Sequence, residues 1–419
     1  MTTIMRPDDV RKQNRRRILA AVRREGLASR TDIGRATGLS AATISAITSS
    51  LIAEGVLIPP ARIDPLRAGR GRPKVSLGIN PDAALVGTVE FQLNSVSAAV
   101  IDYAGTTVAE HTLKIATSVA GPEDIRKALL SALGEAMKHK TAGAGRLRRI
   151  AVGVQGVTDI DRTAMLWSPI SRHRNLPIKV WLEDGFGVPA RVSNDCDMIA
   201  RALNWRDPGR YGATFAAVLL SHGVGMGLFL RGKLINGTRS SGTEFGHMTY
   251  IPGGASCRCG ARGCIEAYAG DYAIGRRAKG EAAGGEAAGG GAEDVPPPDL
   301  TQNPDIQAIV DAALGGDLQA RAAIEAAGAA IGTGLSSIYA LVDPFPIVLV
   351  GSGSKAFGLM ERPIRQALNG TIAGNAAHDI SIDCFADERP LVREGCAISA
   401  LLMHDDQIAE HRSFSEVAI

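Results

Sequence analysis

With 419 residues, 45% apolar and 21% charged, the chain is long enough for two or three compact units and apolar enough to exclude global disorder. No apolar run approaches the ~20 residues of a membrane span, and Ile18–Val22 is too short for a secretory signal, so a cytoplasmic protein without membrane contact is expected. The net charge of +3 hides an asymmetry: residues 1–80 hold 15 Lys/Arg against 6 Asp/Glu, and the remainder 31 against 37. A basic head on an acidic body points the head toward a polyanion, with solvated surface charge as the plain alternative.

The head (1–80) opens on a helical stretch, Asn14–Arg24, with Ile18, Leu19 and Val22 on one face. Ser29 and Thr31 precede a short helix around Asp32–Ala36, which Gly38 ends in the left-handed conformation glycine favours. Ser40 is the expected N-cap of a second helix, Ala41–Ala53, whose Ile44, Ile47 and Leu51 recur at helical spacing. Helix, Thr37-Gly38-Leu39-Ser40 turn and helix form a helix-turn-helix. Its second helix is expected to offer Ser40, Ala41, Ala42, Thr43, Ser45, Thr48 and Ser49 to the major groove of double-stranded DNA. Downstream, Arg67–Leu77 reads as the wing of a winged helix, and its Arg70-Gly71-Arg72-Pro73 resembles an AT-hook core, with Arg70, Arg72 and Lys74 entering a narrow minor groove. A flexible linker is the alternative for that stretch.

From about Asn80 apolar runs alternate with glycines and helices, as in an α/β protein with two sheet lobes. Strands are expected at Leu85–Glu90, Val96–Asp102, Arg149–Val154, Pro189–Val192, Thr214–Ser221, Met226–Arg231 and Pro346–Gly351. The boundaries expected are a first lobe at 81–205, a second at 206–400 and a tail at 401–419. Residues 279–299, rich in Ala, Gly and Glu with three consecutive prolines, read as a disordered insertion.

The sharpest chemical signal is His247-x9-Cys257-x-Cys259-x4-Cys264. Three thiolates and an imidazole make a closed tetrahedral set for structural Zn2+, leaving no open position for catalysis. Buried reduced cysteines beside a histidine are the alternative. Cys196, Cys384 and Cys396 stand alone and are expected in the core.

Gly242-Thr243-Glu244-Phe245-Gly246-His247, followed by Cys257-Arg258-Cys259-Gly260-Ala261-Arg262-Gly263-Cys264-Ile265-Glu266-Ala267, resembles the signature of the ROK family. That family comprises sugar kinases with a two-lobed actin-like (ribonuclease H-like) body and repressors that add a winged helix. The resemblance spans roughly residues 10–400. It implies an N-terminal winged helix-turn-helix on a sugar-kinase-type ATPase-fold body, with Asn194, Asp195, Glu244, His247 and Glu266 contacting a sugar. Asp195 falls where family kinases hold the base for the attacking hydroxyl. Read without the resemblance, Asp195 can cap a helix, Asn194 can serve a turn, Glu266 can be a surface residue and Glu244 can support His247.

The family kinases carry an Asp-x-Gly-Gly-Thr phosphate turn between their first two strands. Here the stretch is Glu90-Phe91-Gln92-Leu93-Asn94-Ser95, with both glycines gone. The second phosphate turn reads Ser221-His222-Gly223-Val224-Gly225-Met226-Gly227, which a tight hairpin would also explain. A non-catalytic sugar sensor is therefore expected, a homodimer or dimer of dimers on an operator, with an active kinase bearing a DNA-binding head as the alternative.

Overall fold

The protein is described by a computed structural model that covers residues 7–59, 76–139, 145–281, 304–369 and 380–410. The head comprises α1 (Pro7–Glu25), β1 (Leu27–Ser29), α2 (Arg30–Thr37), α3 (Ala41–Ala53), β2 (Leu57–Ile58) and β3 (Ser76–Ile79). Ser29 and Asp32 form a capping box at the start of α2, and Gly38 ends that helix at φ 67. Ser40 accepts the Thr43 N–H at the start of α3, a cap that contributes about 1 kcal/mol. Ile18, Leu19, Ile33, Ile44 and Leu51 fill the core between the helices, while β3 pairs antiparallel with β1 and β2. The segment between β2 and β3, expected as the wing and holding Arg70, Arg72 and Lys74, lies outside the described residues.

The first lobe contains β4 (Leu85–Gln92), β5 (Ser95–Asp102), β6 (Thr107–Lys114), α4 (Pro122–Lys138), β7 (Leu147–Val154), β8 (Val157–Thr158), β9 (Met165–Trp167), α5 (Ile178–Phe186), β10 (Ala190–Asn194), α6 (Asp195–Arg206) and α7 (Pro208–Tyr211). The second contains β11 (Phe215–Leu220), β12 (Val224–Leu230), β13 (Lys233–Leu234), α8 (Glu266–Ala269), α9 (Asp271–Ala278), α10 (Ile306–Leu314), α11 (Leu318–Val342), β14 (Ile347–Val350), α12 (Phe357–Asn369) and β15 (Ile382–Phe385). A last helix, α13, spans Arg389–Glu410.

The two main sheets repeat one topology, β10-β7-β4-β5-β6 and β13-β12-β11-β14-β15. In each, the first three strands in the chain form an antiparallel meander and the last two join parallel to its first strand. The expected pair of sheet lobes is present. β6 and β15 went unread: β6 is an edge strand whose alternation of exposed and half-covered residues carries little apolar signal.

Two expectations need adjusting, and a third falls outside the described residues. No tail begins at residue 401. Helix α13 runs unbroken to Glu410, with Leu401, His404, Asp405 and Ala409 buried, and it packs on α6, β7 and β4 of the first lobe. The expected insertion at 279–299 lies outside the described residues beyond Glu281. Helix α11 is apolar and long enough by composition to cross a membrane, contrary to the expectation of no such run. Its Gly328 and Gly332 instead bring it against the backbone of α12, where added Cβ atoms would come within 2.8 Å of Met360 O and Ile364 O. It is a core helix of the second lobe.

Helix α13 seats on α6 through Gly395, whose added Cβ would lie 2.0 Å from Met198 O. Gly395→Ala is expected to destabilise the protein by about 1–3 kcal/mol through overpacking, outweighing alanine's better helix propensity. A thermal midpoint equal to or above that of wild type would contradict the close contact.

Candidate functional site

A cleft of about 540 Å³ opens between the lobes, lined among others by Gln92, Asp195, Ser221, His222, Lys355 and Glu388. Asp195 is at its floor because β10 ends at Asn194 and α6 begins with the aspartate. Asn194, not Asp195, is the N-cap: its Oδ1 accepts from Cys196 N (2.8 Å) and Asp197 N (3.3 Å), and its Nδ2 donates to Gly156 O (2.8 Å). Asp195 Oδ1 shares the Cys196 N–H at 2.9 Å, and the residue lines the cleft. Burial raises its carboxyl to about 7.

On the other side of the β11–β12 turn, Glu244, His247 and Glu266 converge. Glu244 is raised by burial and held down by His247, with the neighbouring Glu266 raising it further. Glu266 is buried at the start of α8, not on the surface, and its Oε2 accepts the Val224 N–H at 3.2 Å. None of these three lines the cleft that holds Asp195. The two groups meet at Cys196, whose thiol is buried and feels the charges of both Asp195 and Glu244. Trp167 of β9, unforeseen from sequence, sets its ring edge-on to His247 with centroids 6.1 Å apart.

His247, Cys257, Cys259 and Cys264 place one ligand atom each within 4.8 Å of all the others. Cys259 Sγ and Cys264 Sγ stand 3.8 Å apart, and Cys257 Sγ and His247 Nδ1 3.6 Å. The edge of a tetrahedron with ~2.3 Å metal–sulfur bonds is about 3.8 Å, so the donor set fits a single four-coordinate metal. Gly263 is required where the loop folds back, since its added Cβ would lie 1.7 Å from Ile251 O. Between two of the ligands, Arg258 donates to His222 O (2.7 Å) and stacks over Tyr272 at 3.9 Å, tying the loop to the cleft.

At the first phosphate turn, Leu93-Asn94 is a two-residue hairpin with Asn94 at φ 59. Glu90 is buried (1% exposed) and paired with Arg393 of α13 at 3.2 Å, and burial lifts it to about 7. At the second turn the surviving glycines answer packing. Added Cβ atoms would meet Glu266 Oε2 at 2.6 Å from Gly223, Cys196 Sγ at 2.5 Å from Gly225 and Cys196 O at 2.2 Å from Gly227. Burial and Arg258 lower His222 to about 4, leaving it neutral near pH 7.

In the head, Ser40, Ala41, Ala42 and Ser45 are exposed, as expected, with Ser49 exposed beside them, while Thr43 is half-buried with its hydroxyl 2.8 Å from that of Ser40. Thr48 is a correction. It is fully buried, donates to Ile44 O (2.8 Å) and accepts from Arg30 Nε (3.1 Å), so it supports the helix instead of facing DNA. Its neighbour Arg30, at the start of α2, was missed because no helical periodicity marks it.

A model of the ROK family matches residues 87–389, and one of the winged helix-turn-helix DNA-binding type matches residues 11–58. The xylose repressor of Caldicellulosiruptor bescii is 23% identical over 85% of this chain and 87% of its own. The DNA-binding transcriptional repressor Mlc of Escherichia coli is 26% identical over 86% of each. The glucokinase of Streptomyces coelicolor is 30% identical over 44% of this chain and 56% of its own. A crystal structure of a ROK family transcriptional regulator, a homologue of E. coli Mlc, shares the fold with a TM-score of 0.74 at 20% identity, covering 96% of this chain and 98% of that one.

Because the folded Asp195 carboxyl titrates near 7 and its free value is 3.8, the native state holds more protons than the unfolded one in between and loses stability as pH rises through that window. Asparagine does not titrate. Asp195→Asn is therefore expected to gain melting temperature relative to wild type from about pH 4 to about pH 7, then level off. A difference that stays flat in scanning calorimetry over that range would contradict a carboxyl raised by burial.

Proposed function

The chain belongs to the ROK family, and on that premise we propose that it is a sugar-responsive DNA-binding transcriptional regulator, a repressor of carbohydrate uptake or catabolism genes, whose kinase-like body binds a sugar without phosphorylating it. The observation that carries this reading is the union of a winged helix-turn-helix with a two-lobed body, an arrangement matched over 86% of its length by a protein named as a DNA-binding repressor.

In this reading Ser40, Ala41, Ala42, Thr43 and Ser45 meet base edges and thymine methyls in the major groove. Arg70, Arg72 and Lys74 supply minor-groove contact and much of the salt-dependent affinity. Two heads on a homodimer would read a roughly palindromic site. Asn194, Asp195, Glu244, His247 and Glu266 present the amide and carboxylate partners that sugar hydroxyls require. His247, Cys257, Cys259 and Cys264 hold a structural Zn2+, which supplies a fixed loop shape and no reaction. Sugar bound between the lobes changes their angle and, through it, the affinity of the heads for DNA.

Loss of phosphoryl transfer is supported by Glu90. At the position where a kinase needs a carboxylate free for phosphate and its metal, Arg393 pairs with it, and the adjoining turn presents side chains in place of two glycines. The observation favouring the kinase alternative is Asp195, whose value near 7 in an open cleft suits a general base.

Selection of bound fragments from a random duplex pool at ~150 mM salt is expected to yield an inverted repeat, and enrichment of no sequence would sink the regulator reading. With D-glucose, D-xylose or N-acetylglucosamine and Mg-ATP, a coupled ADP-release assay should stay at background. Turnover abolished by Asp195→Ala would establish the kinase instead. Metal analysis should find about one zinc per chain, lost in Cys259→Ser with the head still folded by circular dichroism. Full retention of zinc in that variant would remove the metal site.

A further inference from the structure

The head rests on α13, and α13 begins in the cleft. Its first turn and the residue before it touch both lobes. Arg393 is paired with Glu90 on β4 and with Glu110 on β6, while Glu388 accepts from Ser221 at the β11–β12 turn (3.4 Å). A change in the angle between the lobes therefore pulls on the start of this helix from two sides. Midway, Gly395 seats against the backbone of Met198 on α6, the helix that Asp195 opens. About 33 Å of unbroken helix, 22 residues with Pro390 in the first turn where it costs no helical hydrogen bond, leads to the head.

The far end is a buried joint. Asp405 Oδ1 accepts from Arg23 Nη2 of α1 (2.9 Å) and from the Tyr103 hydroxyl of the first lobe (2.5 Å). Arg23 also donates to Tyr103 O and lies over its ring at 4.7 Å. Both charged side chains are only 4% exposed. Yet Asp405 Oδ2 and Arg23 Nε are buried without partners, so the joint is incompletely satisfied and a rearranged contact can compete with it. Cavities flank it on both sides. One, of about 340 Å³, lies among Glu54, Val56, Arg148 and Ile408, and another, of about 410 Å³, among Val22, Leu27, Pro81 and Asp102.

We propose that α13 is the rod through which the sugar cleft repositions the DNA-reading head, with the Arg23–Asp405–Tyr103 contact as its joint. The inference rests on the sensor reading above and adds the route by which the signal travels. It assigns Asp405, Arg23 and Tyr103 as positioning residues that touch neither sugar nor DNA. A rigid element contacted by both sites is a physical path for coupling only if both sites bias its position, and that is what the test addresses.

Operator affinity is measured by fluorescence anisotropy on the selected duplex, with and without saturating D-glucose, D-xylose or N-acetylglucosamine, in wild type, Tyr103→Phe, Asp405→Asn and Arg16→Ala. Sugar affinity is measured separately by calorimetry without DNA. Wild type is expected to show a sugar effect of at least ~10-fold on operator affinity. Tyr103→Phe and Asp405→Asn should bind sugar within roughly twofold of wild type while the effect on DNA drops below about threefold. Arg16→Ala breaks only the exposed pairs with Asp406 and Glu410 (43% exposed against 56% and 61%) and should keep the full effect. Tyr103→Phe, which removes one hydroxyl, keeps the test decisive if Asp405→Asn fails to fold. Variants that retain the wild-type sugar effect overturn the relay alone, and an equal loss in Arg16→Ala overturns its assignment to the buried joint. A wild type whose operator affinity none of these sugars moves overturns the sensor reading, and the relay with it.

Discussion

A guanidinium from residue 23 and a carboxylate from residue 405 are buried against each other where the head meets the body, and the architecture depends on that meeting. Removing one partner from such a pair typically costs about 3–5 kcal/mol, because the other charge is left buried and alone. The bond's net contribution to stability is smaller than that figure, since both ions lost their water to form it. What it supplies is a defined seat: Arg24 over the Trp205 ring at 4.8 Å and Arg15 Nη2 donating to Ile408 O at 3.4 Å add contact around it. The last helix of the chain therefore serves the first lobe and the head at once.

The same helix decides what the cleft can do. By placing Arg393 on Glu90, α13 ties a buried carboxylate of the first sheet into an ion pair. The floor of the cleft is different. Asn194 caps α6, Asp195 shares the Cys196 N–H, and burial lifts the Asp195 carboxyl to about 7.

Legibility in the sequence followed the range of the interactions. The limits of α3 were readable to the residue because Gly38 and Ser40 act on their own neighbours. The His/Cys3 set was readable because its ligands fall within 18 residues of chain, close enough for spacing to report geometry. Thr48 misled because its hydroxyl suggested an outward position, whereas its place next to Ile44 and Leu51 on the helix sends it inward to Arg30. Gly223, Gly225 and Gly227 looked like remnants of a phosphate turn, but their cause is the approach of α6 and Glu266 to β12, which no local pattern reveals. Least legible was α13. Its buried polar end makes sense only beside Arg23, 382 positions away.

The central claim is that a sugar, without ATP, changes the grip of the head on DNA. The direct measurement is the operator dissociation constant of the wild-type protein, titrated with each free sugar in nucleotide-free buffer and again with Mg-ATP. The account predicts that one free sugar weakens the specific complex by ~10-fold or more and that ATP changes nothing. An effect that appears only with ATP, or only with the phosphorylated sugar, would contradict it and return the body to enzymatic duty.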